Sequence, residues 1–402
     1  MEDFNATKLI SDILKKSTQT LTSKFYQSQN LELSIILPCR NEEQALPKCL
    51  NQIQEVIKKN NLNAEIIVSD SSIDKSPGIA KQFNVKLIKH NKKGYGIAYL
   101  EGFKHAKGKY IFLADADGTY DFNEIPNFLN ELKKSYDFVI GNRFAYPIEK
   151  KVMPWSHRYI GNPILSGLLR LFYGTTVKDS HCGMRAISRQ ALDRLKLQTA
   201  GMEFASEMVI KALKNNLKIK ELPIHYYPRI GNSKLNTISD GWRHLRFMLL
   251  YSPLFLFFIP GFILFILGLI TMLWIYTGSA EILGIQLYIH PMFLSSLFII
   301  IGYQLMIFSL FAKTYAITHL NEKSPLEKYY KYITIESASI IGILIIGLGI
   351  FLYISVLIKW ITSDFSSLNE IKTLILALTL TTIGIQTIFS SFMLSILGIK
   401  EK

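Results

Sequence analysis

The stretch YIFLADAD, residues 110–117, decides how the first half of the chain folds. Five mostly apolar residues are followed at once by two aspartates that flank a single alanine. A short apolar run of this kind is typical of a strand that is buried on both faces of a sheet. Aspartates at the end of such a strand cannot belong to an apolar core. Their oxygens suit Mg²⁺ or Mn²⁺, so Asp115 and Asp117 are predicted to hold a divalent metal.

Similar apolar runs lie on both sides of this stretch, and helical patterns separate them. The predicted strands are 33–37, 65–69, 85–88, 110–114 and 138–140. Between the first two, Leu46, Leu50, Ile53 and Ile57 recur at helical spacing. Near-continuous apolar strands that alternate with helices predict an α/β domain with a mainly parallel sheet. Ligands of such sheets bind beyond the carboxyl ends of the strands.

Polar residues stand at each of these strand ends. Pro38, Arg40 and Glu42 follow the first strand, Asp70 follows the second, and Arg143 follows the fifth. Because parallel strands end at one edge of the sheet, we expect acidic, amide and basic groups to meet there.

The glycine pattern at residues 94–96 calls for a separate interpretation. It lacks the third glycine and the later acidic residue of a dinucleotide fingerprint, which excludes an NAD site. Lys93 stands just before the helix that follows Gly94, and the free N–H groups of that helix are expected to face a phosphate.

The second half of the chain is apolar and nearly uncharged. Residues 1–246 carry a net charge of +13, whereas residues 247–402 carry +1. Four runs that contain no Asp, Glu, Lys or Arg are long enough to cross a bilayer: 254–277, 291–312, 337–358 and 373–399. This pattern excludes a wholly soluble protein and a disordered chain. Three scattered cysteines also exclude a disulfide framework or a zinc site.

Lysines cluster between the second and third runs and at the C-terminus. The positive-inside rule therefore predicts a multi-pass protein of the cell membrane with both termini and the basic half in the cytoplasm. No apolar signal segment precedes that half. The excess positive charge is matched by no nucleic-acid motif, so anionic lipid is the expected partner and nucleic acid is not. The oligomeric state stays open.

Just before the first run, residues 235–250 form one apolar helical stripe with a basic flank: Leu235, Ile238, Trp242, Leu245 and Leu249. Such a helix is suited to lying among lipid headgroups, and the alternative is a helix that closes the preceding domain. The predicted organisation is an N-terminal extension (1–30), the α/β domain (31–234), the amphipathic helix (235–250) and an all-α membrane domain (251–402).

The strand-end motifs, in this order, resemble family 2 glycosyltransferases with the Rossmann-like GT-A fold. They are most similar to polyprenyl-phosphate sugar synthases of the dolichol-phosphate mannose synthase type. The resemblance covers about residues 31–250, and the four spans match multi-span members. It implies that the segment from Pro38 through Arg40 to Glu42 binds the nucleotide, that Asp70 contacts its base, and that Arg143 meets a phosphate.

The sequence departs from that pattern after the metal motif. Those synthases usually continue with Leu-Gln, whose Gln is a third metal ligand, whereas here residues 118–121 read GTYD. Thr119 or Asp121 is therefore the alternative third ligand. Residues 179–185, DSHCGMR, resemble the family's acceptor loop.

The resemblance implies an inverting transfer of one sugar, from a donor of the GDP-mannose or UDP-glucose type to a polyprenyl phosphate at the cytoplasmic face. An ionised lipid phosphate needs no general base, but it needs cations. The residues expected to supply them are Arg143, Arg158, Arg229 and Lys234. The alternatives are a hydroxyl acceptor on a glycolipid or polysaccharide, with Glu203 or Glu207 as base, and a non-catalytic membrane scaffold.

Overall fold

The computed structural model describes residues 31–149, 152–231, 237–278, 280–282, 285–318 and 335–398. It divides into two compact units, Met1–Met248 and Leu249–Lys402.

The first unit is built on one seven-stranded sheet. Its strands are β1 (Leu33–Cys39), β2 (Ala64–Asp70), β3 (Lys86–Lys89), β4 (Tyr110–Leu113), β5 (Phe138–Asn142), β6 (Arg185–Ser188) and β7 (Ile219–Pro223). They lie in the order β3-β2-β1-β4-β6-β5-β7. Every neighbouring pair is parallel except those of β6, which runs antiparallel to β4 and β5. The predicted Rossmann-like, mainly parallel fold is confirmed, although β6 and β7 were not predicted.

Helices cover this sheet, and apolar residues at the predicted spacing face it. They are α1 (Leu46–Lys59), α2 (Ser76–Ala80), α3 (Tyr95–Phe103), α4 (Ile125–Lys133), α5 (Asn162–Tyr173), α6 (Arg189–Leu195), α7 (Phe204–Lys214) and α8 (Thr237–Leu250). In α1, Leu46, Leu50 and Ile53 are buried as their spacing predicts.

Helix α8 packs on the first unit through a face that the sequence pattern did not indicate. His244 is 6% exposed and Met248 is fully buried, whereas Trp242 is 57% exposed. The hydroxyl of Tyr173, at the end of α5, donates to the carbonyl of Met248 at 2.9 Å. The domain-closing interpretation is therefore correct for the His244 face. Trp242 is exposed, and tryptophan is enriched at membrane interfaces.

Within its described residues, the second unit has four apolar helices long enough to span a membrane, as predicted. They are α9 (Ile259–Thr277, extended at its start by a π-helical turn, Leu254–Phe258), α10 (His290–Thr318), α11 (Ile335–Thr362) and α12 (Ile371–Gly398). A short hairpin, β8 (Ala280–Ile282) and β9 (Ile285–Leu287), joins the first two.

Glycines allow these helices to approach closely in pairs. A Cβ on Gly302 of α10 would lie 2.5 Å from the Gly261 carbonyl oxygen, and one on Gly384 would lie 2.7 Å from that of Gly342. Close contact through small residues is the usual way in which membrane helices associate.

The lysine-rich segment 319–334 and the C-terminal Lys400 and Lys402 lie outside the described residues, so the predicted topology stays a prediction.

Candidate active site

A cavity of about 640 Å³ opens where strands β1, β4 and β5 end. It is lined by seven of the predicted site residues: Pro38, Arg40, Glu42, Asp115, Asp117, Arg143 and Arg229. The strand topology brings them together, because β1 and β4 are parallel neighbours and end at the same edge.

Asp117 is held by partners on both carboxylate oxygens. Its Oδ1 accepts hydrogen bonds from the Thr119 backbone N–H at 3.1 Å and from the Thr119 hydroxyl at 2.6 Å. Its Oδ2 accepts from Nη1 of Arg229 at 2.7 Å. The second terminal nitrogen of Arg229 donates to Oε1 of Glu42 at 2.5 Å. A guanidinium thus bridges two carboxylates that come from different strand ends.

Asp115 is less well satisfied than Asp117. No hydrogen-bond donor among the described residues reaches its buried Oδ1. Burial, and then the negative charge of Asp117, raise the pKa of Asp115. A Cβ on Gly183 would lie 2.5 Å from Oδ2 of Asp115, so only glycine lets the loop of residues 179–185 pass this close to the carboxylate. One buried oxygen of this half-buried residue is therefore left without a hydrogen-bond donor in the described part of the chain.

This donor set fits a divalent metal that shares its ligands with a substrate. Two carboxylates and water suit Mg²⁺ or Mn²⁺, and an unsatisfied oxygen marks where positive charge is missing. The described residues contain no cluster of three or more His, Cys, Asp or Glu that would hold a metal alone. Diphosphate oxygens of a nucleotide would complete such a shell.

Neither alternative third ligand is placed for that role. The Thr119 hydroxyl donates to Asp117 and so orients that carboxylate. Asp121 caps the 3-10 turn that begins at Phe122, where its Oδ1 accepts from Gln52 at 2.6 Å and from Asn123. Asp121 is also absent from the cavity lining.

Arg143 forms the best-defined ion pair of the site. Its Nε and Nη2 donate to the two carboxylate oxygens of Asp179 at 2.7 and 2.8 Å, and its backbone N–H donates to the same group at 3.0 Å. Its guanidinium carbon lies 5.3 Å from the ring centroid of Tyr226. Asp179 thus holds one edge of the guanidinium, and Arg143 also lines the cavity.

The other predicted phosphate ligands are less central. Arg158 is not a lining residue and its guanidinium lies over the ring of Tyr159, at 5.2 Å from the centroid. Lys234 lies outside the described residues.

Lys93 is exposed and does not line the cavity. The N–H groups of Gly96 and Ile97, which begin α3, donate to the carbonyls of Gly201 and Ala200. The expectation that these two groups face a phosphate is therefore wrong, because a neighbouring loop already satisfies them.

Asp70 is fully buried at the end of β2 and lies directly before the lining residue Ser71. Neither of its carboxylate oxygens has a hydrogen-bond partner among the described residues. Its contact with a nucleotide base stays a prediction.

Sequence reasoning missed one whole wall of the cavity. Residues after β5 and on α8 supply it: Met153, His157, Asn162, Leu165, Arg243 and His244, with His181 from the acceptor loop. Isolated histidines carry no pattern, and the only signal was their place near the predicted acceptor loop and helix.

Glu207 is not a base for the reaction, since Thr199, Gln198 and Lys211 all bond to it.

Comparison with known proteins supports what this geometry indicates. The glycosyl transferase family 2 model matches residues 34–196, and the model of the family 2 C-terminal transmembrane region matches residues 310–398. The low-salt glycan biosynthesis hexosyltransferase Agl6 of Haloferax volcanii is 37% identical over 368 residues, covering 91% of this chain and 89% of the relative. The chain belongs to glycosyltransferase family 2. It is thus a membrane glycosyltransferase, and the scaffold alternative is wrong.

Two further relatives resemble this family 2 enzyme over about half of its length. A dolichyl-phosphate hexose transferase of H. volcanii is 30% identical and covers 52% of this chain and 89% of the relative. A dolichol-phosphate mannosyltransferase of Pyrococcus furiosus is 28% identical, covering 54% of this chain and 63% of the relative. Among solved structures, mannosyl-3-phosphoglycerate synthase of Rubrobacter xylanophilus matches at a TM-score of 0.46 and 17% identity, over 54% of this chain and 73% of that one.

Proposed function

We propose that this enzyme transfers one hexose, with inversion, from a nucleotide-sugar of the GDP-mannose or UDP-glucose type to a polyprenyl phosphate at the cytoplasmic face. The observation that carries the proposal is one cavity that holds an acidic pair, Asp115 and Asp117, together with Arg143 and Arg229. The relatives named as hexosyltransferases and as dolichyl-phosphate transferases support the sugar and acceptor classes.

The donor end of the cavity is acidic and suits a nucleotide diphosphate with its metal. Asp115 and Asp117 would hold Mg²⁺ or Mn²⁺ there, and such an ion neutralises charge that develops on a leaving diphosphate. Arg229, which bridges Asp117 and Glu42, adds a guanidinium beside the same phosphates.

The acceptor end suits a phosphate that is already ionised, since the second pKa of a phosphate monoester is about 6. One of its oxygens forms a bond to the anomeric carbon as the bond from that carbon to the diphosphate breaks. The leaving diphosphate keeps the electron pair, so no proton has to be removed. Arg143 orients the acceptor, and Asp179 fixes its guanidinium through two hydrogen bonds along one edge.

The acids of the cavity favour a phosphate acceptor over a hydroxyl acceptor, which needs a general base. Glu42 and Asp117 both bond to Arg229, and Asp240 lies 3.6 Å from Arg243. Asp115 stands in the proposed metal site. Each lining acid therefore has a basic neighbour or a metal role.

The test is transfer by the purified full chain in lipid nanodiscs. Polyprenyl phosphate and a panel of UDP- and GDP-hexoses would be supplied with Mg²⁺ or Mn²⁺, and the glycolipid measured by mass spectrometry. The matched control acceptor is the polyprenol of the same length, which lacks only the phosphate. We expect a hexosyl phospholipid of inverted anomeric configuration and no product from polyprenol. Transfer to polyprenol or a glycan hydroxyl, with none to the phosphate, would refute the proposal.

A further inference from the structure

Four side chains, three of them buried and His181 half-buried, form a continuous hydrogen-bonded chain along one wall of the cavity. Ser180 Oγ lies 3.0 Å from Nδ1 of His181, and Nε2 of His181 lies 3.2 Å from Oγ of Ser206. That hydroxyl lies 2.8 Å from Nδ1 of His244. The two imidazole rings meet edge to face with centroids 4.4 Å apart. We call these four residues the His–Ser chain.

The protonation of the two histidines limits which atoms of the His–Ser chain can donate and which can accept hydrogen bonds. Burial, and then the proximity of the other histidine and Arg185, keep the pKa of His181 well below its usual value, so its imidazole is neutral. A neutral imidazole donates from one nitrogen and accepts at the other. The single proton of the Ser206 hydroxyl can serve only one of the two rings. At least one of the two rings must therefore donate to the Ser206 oxygen, so the chain depends on polar atoms that plain apolar packing would not supply.

The two ends of the His–Ser chain lie at functionally different places. At one end, Ser180 directly follows Asp179, whose carboxylate fixes Arg143. At the other end, His244 belongs to α8, which ends at Leu250, a few residues before the first membrane-spanning helix. His181 and His244 both line the cavity.

The loop of residues 179–185 has a separate anchor at Gly183, beside the proposed metal ligands. The Gly183 N–H donates to the Tyr120 hydroxyl at 2.8 Å, next to Asp115. The Asp179 end of the loop is also held by Glu221, which accepts from the Asp179 N–H at 2.8 Å, and by Ser166, which lies 3.0 Å from the Ser180 hydroxyl. The His–Ser chain is the part of this network that reaches α8. Breaking it is therefore expected to shift the Asp179 end relative to α8 and to leave the end beside the metal ligands in place.

We propose that His244, acting through Ser206 and His181, is a positioning residue that holds the Asp179–Arg143 pair in register with the helix leading into the membrane. The inference rests on the proposed function, because it assigns the His–Ser chain to the lipid-phosphate acceptor and not to the nucleotide-sugar. Loss of the His–Ser chain raises the KM for polyprenyl phosphate and leaves the KM for the nucleotide-sugar unchanged.

The experiment compares His244→Phe, which keeps a ring without nitrogens, with His244→Asn, whose amide stands close to where Nδ1 lies. Steady-state kinetics of the full chain in nanodiscs would be measured with each substrate varied in turn. We expect His244→Phe to raise the acceptor KM about tenfold, as for loss of a buried hydrogen bond, and His244→Asn to restore most of it. Ser206→Ala should reproduce His244→Phe, and the double variant should be no worse than either.

The matched control is His105→Phe, the same substitution in a turn before β4, at the opposite edge of the sheet from the cavity. It should leave both KM values at those of the wild type. An unchanged acceptor KM in both His244→Phe and Ser206→Ala, or an equal rise in both KM values that His244→Asn does not correct, would overturn the positioning role. A wild-type chain that transfers nothing to polyprenyl phosphate would overturn the proposed function itself, and this inference with it. If His244→Phe does not fold, Ser206→Ala gives the same comparison.

Discussion

Asp179→Ala tests the ion pair on which the acceptor end of the site depends. Asp179 is fully buried and receives three hydrogen bonds from Arg143, which is itself only 7% exposed. Removing the carboxylate leaves a buried guanidinium without its counter-ion, a change that costs about 3–5 kcal/mol. For a unit of this size each kcal/mol lowers the unfolding temperature by about 2–4 °C. We therefore expect the unfolding temperature to fall by roughly 10 °C.

The assay is thermal unfolding of the full chain in detergent, followed by intrinsic fluorescence. Arg143→Met in the Asp179→Ala background removes the uncompensated charge, so the double variant should recover at least about 2 kcal/mol. Asp193→Ala, at an exposed position on α6, is the matched control and should change stability by less than about 0.5 kcal/mol. Additive losses in the double variant, or a loss from Asp179→Ala as small as that of the control, would refute the reasoning.

Three further outcomes follow from the same contacts. Asp117→Asn should lower metal-dependent transfer at least about a hundredfold, measured as initial rates over an Mn²⁺ titration at a temperature where the variant is folded; undiminished transfer would remove Asp117 from the proposed metal site. Burial lowers the pKa of His244 to about 4, so the unfolded chain takes up this proton first and stability should fall as the pH drops from about 6.5 towards 4. His244→Phe should flatten that part of a melting profile, and an unaltered slope would contradict the assignment. A tag at the C-terminus should resist external protease in intact cells if the predicted topology is correct, and digestion there would reverse it.

The α/β fold could be predicted from the sequence because its central strands are buried on both faces. Strand β4 reads as apolar from Tyr110 to Leu113, so local composition alone identifies it. Strand β7, Ile219–Pro223, is half-buried at the sheet edge and contains Lys220 and Glu221, so its pattern resembles a loop. Strand β6 is only four residues long and begins with an arginine, and its place between β4 and β5 comes from long-range pairing.

The difference between local pattern and long-range contact also explains which face of α8 is buried. Periodicity ranks residues by apolarity, so it placed Trp242 in the apolar stripe and His244 in the basic flank. The structure buries His244 because Ser206, on another helix, satisfies its ring nitrogen. A polar side chain is buried at low cost when it has such a partner, and no window of local sequence contains that partner.

The sequence by itself determined the class of molecule: an α/β glycosyltransferase unit followed by four membrane-spanning helices. It also identified most of the charged residues that line the cavity, because all of those except Arg229 follow a predicted strand that ends at one edge. Only the tertiary structure decided how those charges pair. Arg229 reaches Asp117 across 112 positions of sequence, and Arg143 finds Asp179 across 36. The physical reason is that local pattern fixes which residues stand at the edge of a sheet, whereas pairing depends on how distant loops pack over that edge.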